Sequence, residues 1–479
     1  MSATPDIKYY TNKTRSPSLT PGQLLTVKEK TLDILENVGV KVPNQKALKV
    51  FQNHGAKIIN QQVYLTREIV EKYMRLAPSE FILGGREKRF DLHFNRKNSY
   101  LIPISAGVKW RRPEDGKIVP TCKQNLIDIC RFFDAIPMIS MTRPTASSID
   151  YGEITALHDC HAMLTSSLKN ARAGTTLRPD LAPFIIEMAR VAAGSNENME
   201  NRPPVNANIC TISPLSHDDH GLECAMMYAE NNIPVSFLSM PTMGSTAPFT
   251  VMGALIMGCV ETVSGAVLLQ MVKPGSKVMF SIEICMMEPR SGRCIIDHPF
   301  PTSNIAVDII HDWNVPCFLD ARVSVNAQDI GWESGMVDGI MSMVCANSGA
   351  EMIGAFGMLQ DAMVVCPEKF VLELEAHEMA YQISEPVTFH EEELAVELMK
   401  KIGSGGNFLM EMHTIKEMRQ MRLSKVLWQK GGNGQEREHR KTAIEIYNKT
   451  IKGHCPEPLP DDVLKEMDNI LKKAEEAIL

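Results

Sequence analysis

The sequence predicts an α/β protein built from consecutive strand–helix units on one parallel sheet. Three observations predict it. Seven short apolar runs recur, at 137–141, 170–175, 205–212, 233–240, 277–284, 315–319 and 351–356, with starts roughly 30 to 45 residues apart. That spacing is the size of one βα unit with its loops. Helical patterns fill the intervals, and strands joined through helices run parallel. The stretch 241–280, PTMGSTAPFTVMGALIMGCVETVSGAVLLQMVKPGSKVMF, spells one unit in full: loop, helix, Lys-Pro-Gly turn and the start of the next strand. An eighth run at 100–104 or 407–410 would allow a closed (β/α)8 barrel; six or seven would leave an open doubly wound sheet. No G-x-G-x-x-G or Walker loop follows any run, so the nucleotide-binding open sheets lose support. The units share no repeated motif, which argues against a solenoid.

In chain order, residues 1–20 are polar and read as a flexible arm. Thr20 and Pro21 suit the N-cap and first position of a helix whose apolar face is Leu24, Val27, Leu32, Ile34 and Leu35. Further helices are expected near 45–54 and 67–76. A strand pair is expected at 56–65, and strands around a Gly84-Gly85 turn at 79–94. Residues 21–99 thus form a helical and β cap. The sheet region spans 100–415, opening on a loop-rich segment that holds Trp110. In its middle, Gly244, Ser245 and Thr246 form a loop at the C-terminal end of a strand, where α/β proteins build their sites. The following helix, 249–271, carries Gly253, Gly258 and Gly265. Glycines weaken a helix, so close approach to the sheet or to a second subunit is expected; a homo-oligomer follows from the second. Residues 416–479 read as a charged helical extension.

Composition excludes some functions. Of 479 residues, 44% are hydrophobic and 22% charged, with a net charge of −7. These values suit a soluble globular protein and give no basic surface for nucleic acid. The 12 cysteines include no C-x-x-C pair and sit in apolar runs, so buried reduced thiols compete with metal or redox roles. No apolar leader and no uninterrupted run of about 18 apolar residues is present. A cytoplasmic protein without a membrane span is expected. The 30 methionines oxidise readily in air, which fits an anaerobe.

The chemistry-bearing residues divide as follows. A corrinoid-binding loop Asp-x-His-x-x-Gly is approached twice. Glu223 replaces the glycine after Asp218-Asp219-His220, and Leu164 replaces it after Asp159-Cys160-His161. The chain is therefore not expected to hold cobalamin itself. His217 with His220, and His158 with His161, share zinc-ligand spacing, but H-E-x-x-H is absent and no third ligand is placed, so no metal is assigned. No G-x-S-x-G marks a nucleophile. Quaternary ammonium groups are held by ring faces and carboxylates, which singles out Trp110, Trp313, Trp332 and Phe356 against core packing. Arg143, Arg178 and Arg322 closely follow apolar runs and suit a substrate carboxylate; surface ion pairs are the competing reading.

Several motifs, in order, resemble one family. They are 31–40 (TLDILENVGV), Gly55-Ala56, Ala77-Pro78, Ser213-Pro214-Leu215 and Gly244-Ser-Thr-Ala-Pro248 with Glu261, Gln270 and Pro274-Gly275. Gly403-x-Gly-Gly406-x-Phe408-Leu409 with His413-Thr414 completes the set. The pattern resembles the trimethylamine methyltransferase family. The resemblance implies a (β/α)8 TIM barrel, a substrate cavity at its mouth and a separate corrinoid protein that supplies the cobalamin. Members acting on trimethylamine carry pyrrolysine; this chain has only standard residues, and the corresponding position is placed within 319–328. That departure resembles the branch acting on quaternary amines: glycine betaine first, then proline betaine, carnitine or butyrobetaine. The substrate contacts expected are Trp110, Trp313, Arg322, Trp332, Phe356 and His413, with no catalytic residue assigned. Two alternatives stay open: a betaine-binding barrel without transfer activity, and a metal-dependent barrel lyase.

Overall fold

Eight parallel strands carry the molecule. The computed structural model describes residues 3–11, 15, 17–173, 178–296, 298, 300–319, 325–354, 356–387, 389–420, 424, 426 and 439–479. The strands are β1 (Asn98–Ile102), β2 (Met141–Thr142), β3 (Asn170–Ala173), β4 (Val205–Ile212), β5 (Val235–Ser239), β6 (Val278–Ile282), β7 (Phe318–Leu319) and β8 (Met352–Gly354). The eighth run is therefore 100–104. Parallel ladders join β2 through β6 in order, and β7 to β8 to β1. Two seams are held only by single parallel bridges, Leu101↔Ile139 and Phe280↔Cys317. The regular ladders thus fall into two sheets, not into one unbroken closed sheet.

Alternation along the strands separates an inner row from an outer one. Tyr100, Ile102, Met141, Met279, Phe318 and Met352 form one buried inner cluster. Phe81, Leu83, Leu92 and Phe94 complete it from the antiparallel hairpin Phe81–Leu83 with Leu92–Phe94. Gly84 N–H donates to Pro203 O and Arg86 N–H to Leu168 O, residues that lead into β4 and β3. The hairpin therefore plugs the N-terminal end of the strands. Gly84 and Gly85 are needed for close approach: a Cβ on Gly84 would meet Arg202 O, and one on Gly85 would meet the Phe90 Cβ.

The cap helices begin as their sequences dictate. Thr20 and Gln23 form a reciprocal capping box at the start of Pro21–Asn37, and Asn44 caps Gln45–Asn53. These two helices and Arg67–Met74 pack against the helix Val251–Val272. That helix is apolar around its whole circumference because it is covered on every side. It is long and apolar enough to cross a membrane, but 72% of its apolar window is buried inside the protein. Two of its three glycines face the sheet: a Cβ on Gly258 would press on Ile282 and Ser239, and one on Gly265 would lie 2.7 Å from the Phe237 ring, while one on Gly253 would meet Thr250 and Pro248 of the preceding loop. The close approach at Gly258 and Gly265 is internal.

Residues of the N-terminal arm are strapped down where described. Tyr10 pairs with Ser99 of β1, and its hydroxyl donates to His377 O. Thr4 Oγ1 donates to Asp134 at 2.5 Å. At the other end, His439–Gly453 packs on Lys123–Ala135 and Pro367–Ser384, and Asp461–Ile478 packs on Ala182–Ala193. The terminal helices thus fold back onto the body.

Candidate active site

The inner row changes character toward the C-terminal ends of the strands. Below Phe318 it is apolar; beside and above it are amides and guanidinium groups. Arg172 of β3 is fully buried and donates to Asn206 Oδ1 at 2.5 Å and Asn208 Oδ1 at 2.9 Å, both on β4. Asn206 Nδ2 donates to Asn170 Oδ1 at 2.8 Å, and Asn170 Nδ2 reaches Gly84 O at 2.8 Å on the plug. A hydrogen-bonded file therefore climbs from the plug toward the strand ends. Register sets it: Arg172 lies opposite Asn206. The Arg172 guanidinium sits 4.5 Å from the Phe318 ring centroid. Arg143, one residue beyond β2, sits 5.4 Å from the same ring and donates to Pro103 O and Ser105 Oγ at 3.0 and 2.9 Å. Two buried cations thus lie against one aromatic ring. A buried positive charge is costly unless something negative or strongly polar meets it.

Glu283 follows β6 and is 9% exposed; its N–H extends the ladder to Ser239 O at 2.9 Å. It lines a cavity of about 420 Å³ together with Ile284, His298, Phe300, Leu319 and Met341. His298 Nε2–H donates to Ile284 O at 2.8 Å and Nδ1 accepts from Phe300 N–H at 3.3 Å, which fixes the ring's tautomer. One carboxylate, two rings and aliphatic side chains line it together with the polar Ser18, Ser303 and Asn304; a methylated cation, which has no N–H to donate, is held by carboxylates and rings.

Glu261, buried on the Val251–Val272 helix, holds the adjoining loop. Its carboxylate accepts from Thr211 Oγ1 at 2.6 Å, Ser213 Oγ at 3.0 Å, Ser239 Oγ at 2.6 Å and Leu215 N–H at 2.8 Å. One side chain thereby ties the ends of β4 and β5 to the Ser213-Pro214-Leu215 turn. This gives two separately noticed motif elements one physical cause.

The residues singled out from sequence scatter. Gly244, Ser245 and Thr246 do follow β5, in a turn where Thr242 O accepts from the N–H groups of Ser245, Thr246 and Ala247. Gly244 has φ +85°, and the Phe249 ring occupies the space a Cβ would need. Trp110 is buried in Lys109–Arg111, paired with Val365. Trp313 lies at the N-terminal end of β7, the end away from the arginines, with Nε1–H on Cys259 Sγ at 3.0 Å and Lys28 Nζ 4.6 Å from its ring. Phe356 is buried against Phe370 and His377. Trp332 is 85% exposed and His413 is exposed on Met412–Gln420. Arg322 and residues 320–324, half of the 319–328 stretch expected to hold the pyrrolysine position, lie outside the described residues. Arg178 is a surface residue paired with Asp180 and Glu153. Of the arginines singled out, Arg143 reaches the Phe318 ring. Arg172, Asn206 and Asn208 were missed. Their signal was polar residues at alternate positions inside apolar runs, which marks a polar inner row.

The histidine pairs separate. His217 is buried with Nε2 2.8 Å from Ser264 Oγ, and burial pushes its pKa down to about 4, while His220 is exposed. His158 stacks on Tyr151, and His161 Nε2 lies 3.0 Å from Asp468 Oδ1. Among the described residues no three His, Cys, Asp or Glu side chains are grouped to hold a metal ion. Burial pushes the Cys160, Cys224 and Cys259 thiols up to about 12, far from a nucleophile's range.

Comparison with known proteins decides the family. The trimethylamine methyltransferase (MTTB) family model matches residues 2–478. The chain belongs to the trimethylamine methyltransferase family. It is a methyltransferase. Within that family setting, the chain is 25% identical over 466 residues to trimethylamine methyltransferase MttB of Desulfitobacterium hafniense (strain DSM 10664 / DCB-2), covering 95% of this chain and 93% of the relative. It is 28% identical over 409 residues to glycine betaine methyltransferase of D. hafniense (strain Y51), covering 83% and 84%. Among solved structures it is similar to Methanosarcina barkeri monomethylamine methyltransferase (MtmB), at 10% identity and a TM-score of 0.46, covering 96% of this chain and 93% of that one.

Proposed function

We propose that this methyltransferase removes a methyl group from a quaternary amine and passes it to the Co(I) corrinoid of a separate protein. Glycine betaine is the first choice, then proline betaine, carnitine or butyrobetaine. The observation that carries the reading is the pair Arg143 and Arg172, buried over Phe318 at the strand ends. Trimethylamine has no group for a guanidinium to bind. A betaine has a carboxylate for the arginines and a methylated cation that a carboxylate such as Glu283 would attract. The glycine betaine methyltransferase relative supports the same class.

The chemistry asks little of the protein. The C–N bond breaks and its electron pair stays on nitrogen, which leaves as a neutral tertiary amine. Co(I) donates the pair that forms the new bond to carbon. No proton moves, so no general acid is needed. The chain's task is to fix the carboxylate, aim one methyl outward and exclude water. Once nitrogen is neutral, its attraction to Glu283 and the ring faces falls, which favours product release. The corrinoid enters as the partner's group and acts here as methyl acceptor.

The reading includes a (β/α)8 barrel over 100–415, with the cap 21–99 before it and the extension 416–479 after it, in a cytoplasmic protein. Support comes from the ring of parallel neighbours, in which each strand meets the next by a ladder or a bridge and β8 returns to β1. Calorimetry with glycine betaine and tetramethylammonium tests the arginine assignment. Arg172→Met is expected to weaken glycine betaine binding by about 10- to 100-fold, the worth of one charge-assisted hydrogen bond, and to leave tetramethylammonium unchanged. Equal loss of both ligands would remove Arg172 from the carboxylate role.

A further inference from the structure

From Tyr381 to Arg419 no described residue is buried, although three helices form there: Glu391–Leu394, Val396–Ile402 and Met412–Gln420. The stretch is not polar. Twelve of its large apolar side chains are exposed, among them Val387 at 89%, Phe389 at 84% and Met410 at 85%. Helices of four, seven and nine residues do not stand alone in water. A segment that is ordered, apolar and coreless needs a surface to lie on.

A matching surface exists on the same chain. The helices Trp332–Ser348 and Pro367–Ser384 pack side by side and leave a cavity of about 470 Å³ lined by Gly335, Gly339, Met343, Leu372, Met379 and Ile383. Gly331, Gly335 and Gly339 recur every fourth residue, and a Cβ on any of them would meet nothing within 4 Å. Glycine inside a helix is a weakness that contacts with the described residues do not offset. It makes sense where another chain comes close. Trp332 at 85% and Ile340 at 57% exposure extend the band beside the groove. At ~150–250 Å² per large side chain, the apolar area left in water is on the order of 1,500 Å². That exceeds the ~300–600 Å² patch of a typical monomer and the ~800 Å² that one partner gives a standard interface.

We propose that the occupant is a second copy of this chain. Residues 385–420 of each copy cross over, and the run Phe408-Leu409-Met410 enters the glycine-lined groove of the other. Each chain carries one arm without a body and one groove without an arm, so a two-fold exchange completes both at once. A foreign partner would cover only one of the two. The arm also departs from the groove's own edge, since Ile383 lines the groove and the arm begins two residues later. The resembling motif around Gly403-x-Gly-Gly406 and His413 thereby gains a role in assembly.

Sedimentation equilibrium on the full chain tests this. The wild type is expected as a dimer or a multiple of it. The double variant Leu409→Glu, Met410→Glu and the separate groove variant Gly339→Lys are each expected to raise the dissociation constant about 100-fold or more, with circular dichroism unchanged. Leu25→Glu, at an exposed site outside the band, is expected to leave assembly intact. Mixing the arm and groove variants restores association, because one intact arm then meets one intact groove. A monomeric wild type would overturn the proposal. So would variants that assemble like wild type, or a mixture that associates no better than its components.

Discussion

Arg172 and Glu261 show how single residues set this molecule. Arg172 is a charge carried by a strand into the protein interior, where desolvation alone would be prohibitive. Amide oxygens of Asn206 and Asn208 and the Phe318 face make it tolerable. Glu261 does the converse: four donors converge on its carboxylate, from two strand ends and a turn. Glu261→Ala is expected to cost about 1–3 kcal/mol, because it leaves the buried Ser239 hydroxyl and three half-buried donors without their acceptor. A thermal unfolding scan reads the loss, and a change indistinguishable from zero would mean the loop is held by other contacts. Neither role was legible from sequence in full. Glu261 was noticed as part of a motif, but its partners lie 22 to 50 residues away. Arg172 is a lone charge inside an apolar run, and its partners Asn206 and Asn208 are 34 and 36 residues away. Trp110, Trp313 and Phe356 are large enough to be useful in a core, and three-dimensional packing used them there.

At the scale of elements, sequence reading did best where the pattern was periodic. The runs at 205–212, 233–240 and 277–284 became β4, β5 and β6, and the helix expected at 249–271 runs Val251–Val272. What it left open was which neighbour explained the helix's glycines. The choice between sheet and subunit depends on packing across distant residues, and Phe237 and Ile282 settle it for the sheet. Gly265→Ala is therefore expected to destabilise despite the ~1 kcal/mol gain in helix propensity, because overpacking against the Phe237 ring costs about 1–3 kcal/mol. Chemical denaturation measures the sign; a more stable variant would show that the ring yields. The hairpin plug was expected as strands around a glycine turn, yet its function was hidden. Only the fold shows that Phe81 and Phe94 join the buried cluster at the N-terminal ends of the parallel strands. The N-terminal arm likewise looked loose because its partners, Asp134, His377 and Ser99, are distant in sequence.

The whole molecule joins a family methyltransferase to a polar strand-end site of unusual charge. Single bridges are all that join the two sheets of parallel strands at their two seams. One of them lies at Phe280↔Cys317, beside Glu283 and Leu319, which line the cavity proposed for the cation. A sheet that is least tightly laddered next to its cavity leaves room there for a ligand and for approach from outside. The arginines come with β2 and β3, Phe318 with β7 and Glu283 with the end of β6, far apart in the chain, so the family resemblance foresaw the reaction class while the contacts needed the fold. The central claim is methyl transfer from a quaternary amine to cobalt. Its direct test is anaerobic mixing of the protein with a Co(I) corrinoid protein and glycine betaine, followed by the cobalt absorption spectrum, with trimethylamine run in parallel. The account predicts conversion of Co(I) to methyl-Co(III) with glycine betaine or another betaine of the series, and none with trimethylamine. Conversion with trimethylamine and with no betaine would contradict it.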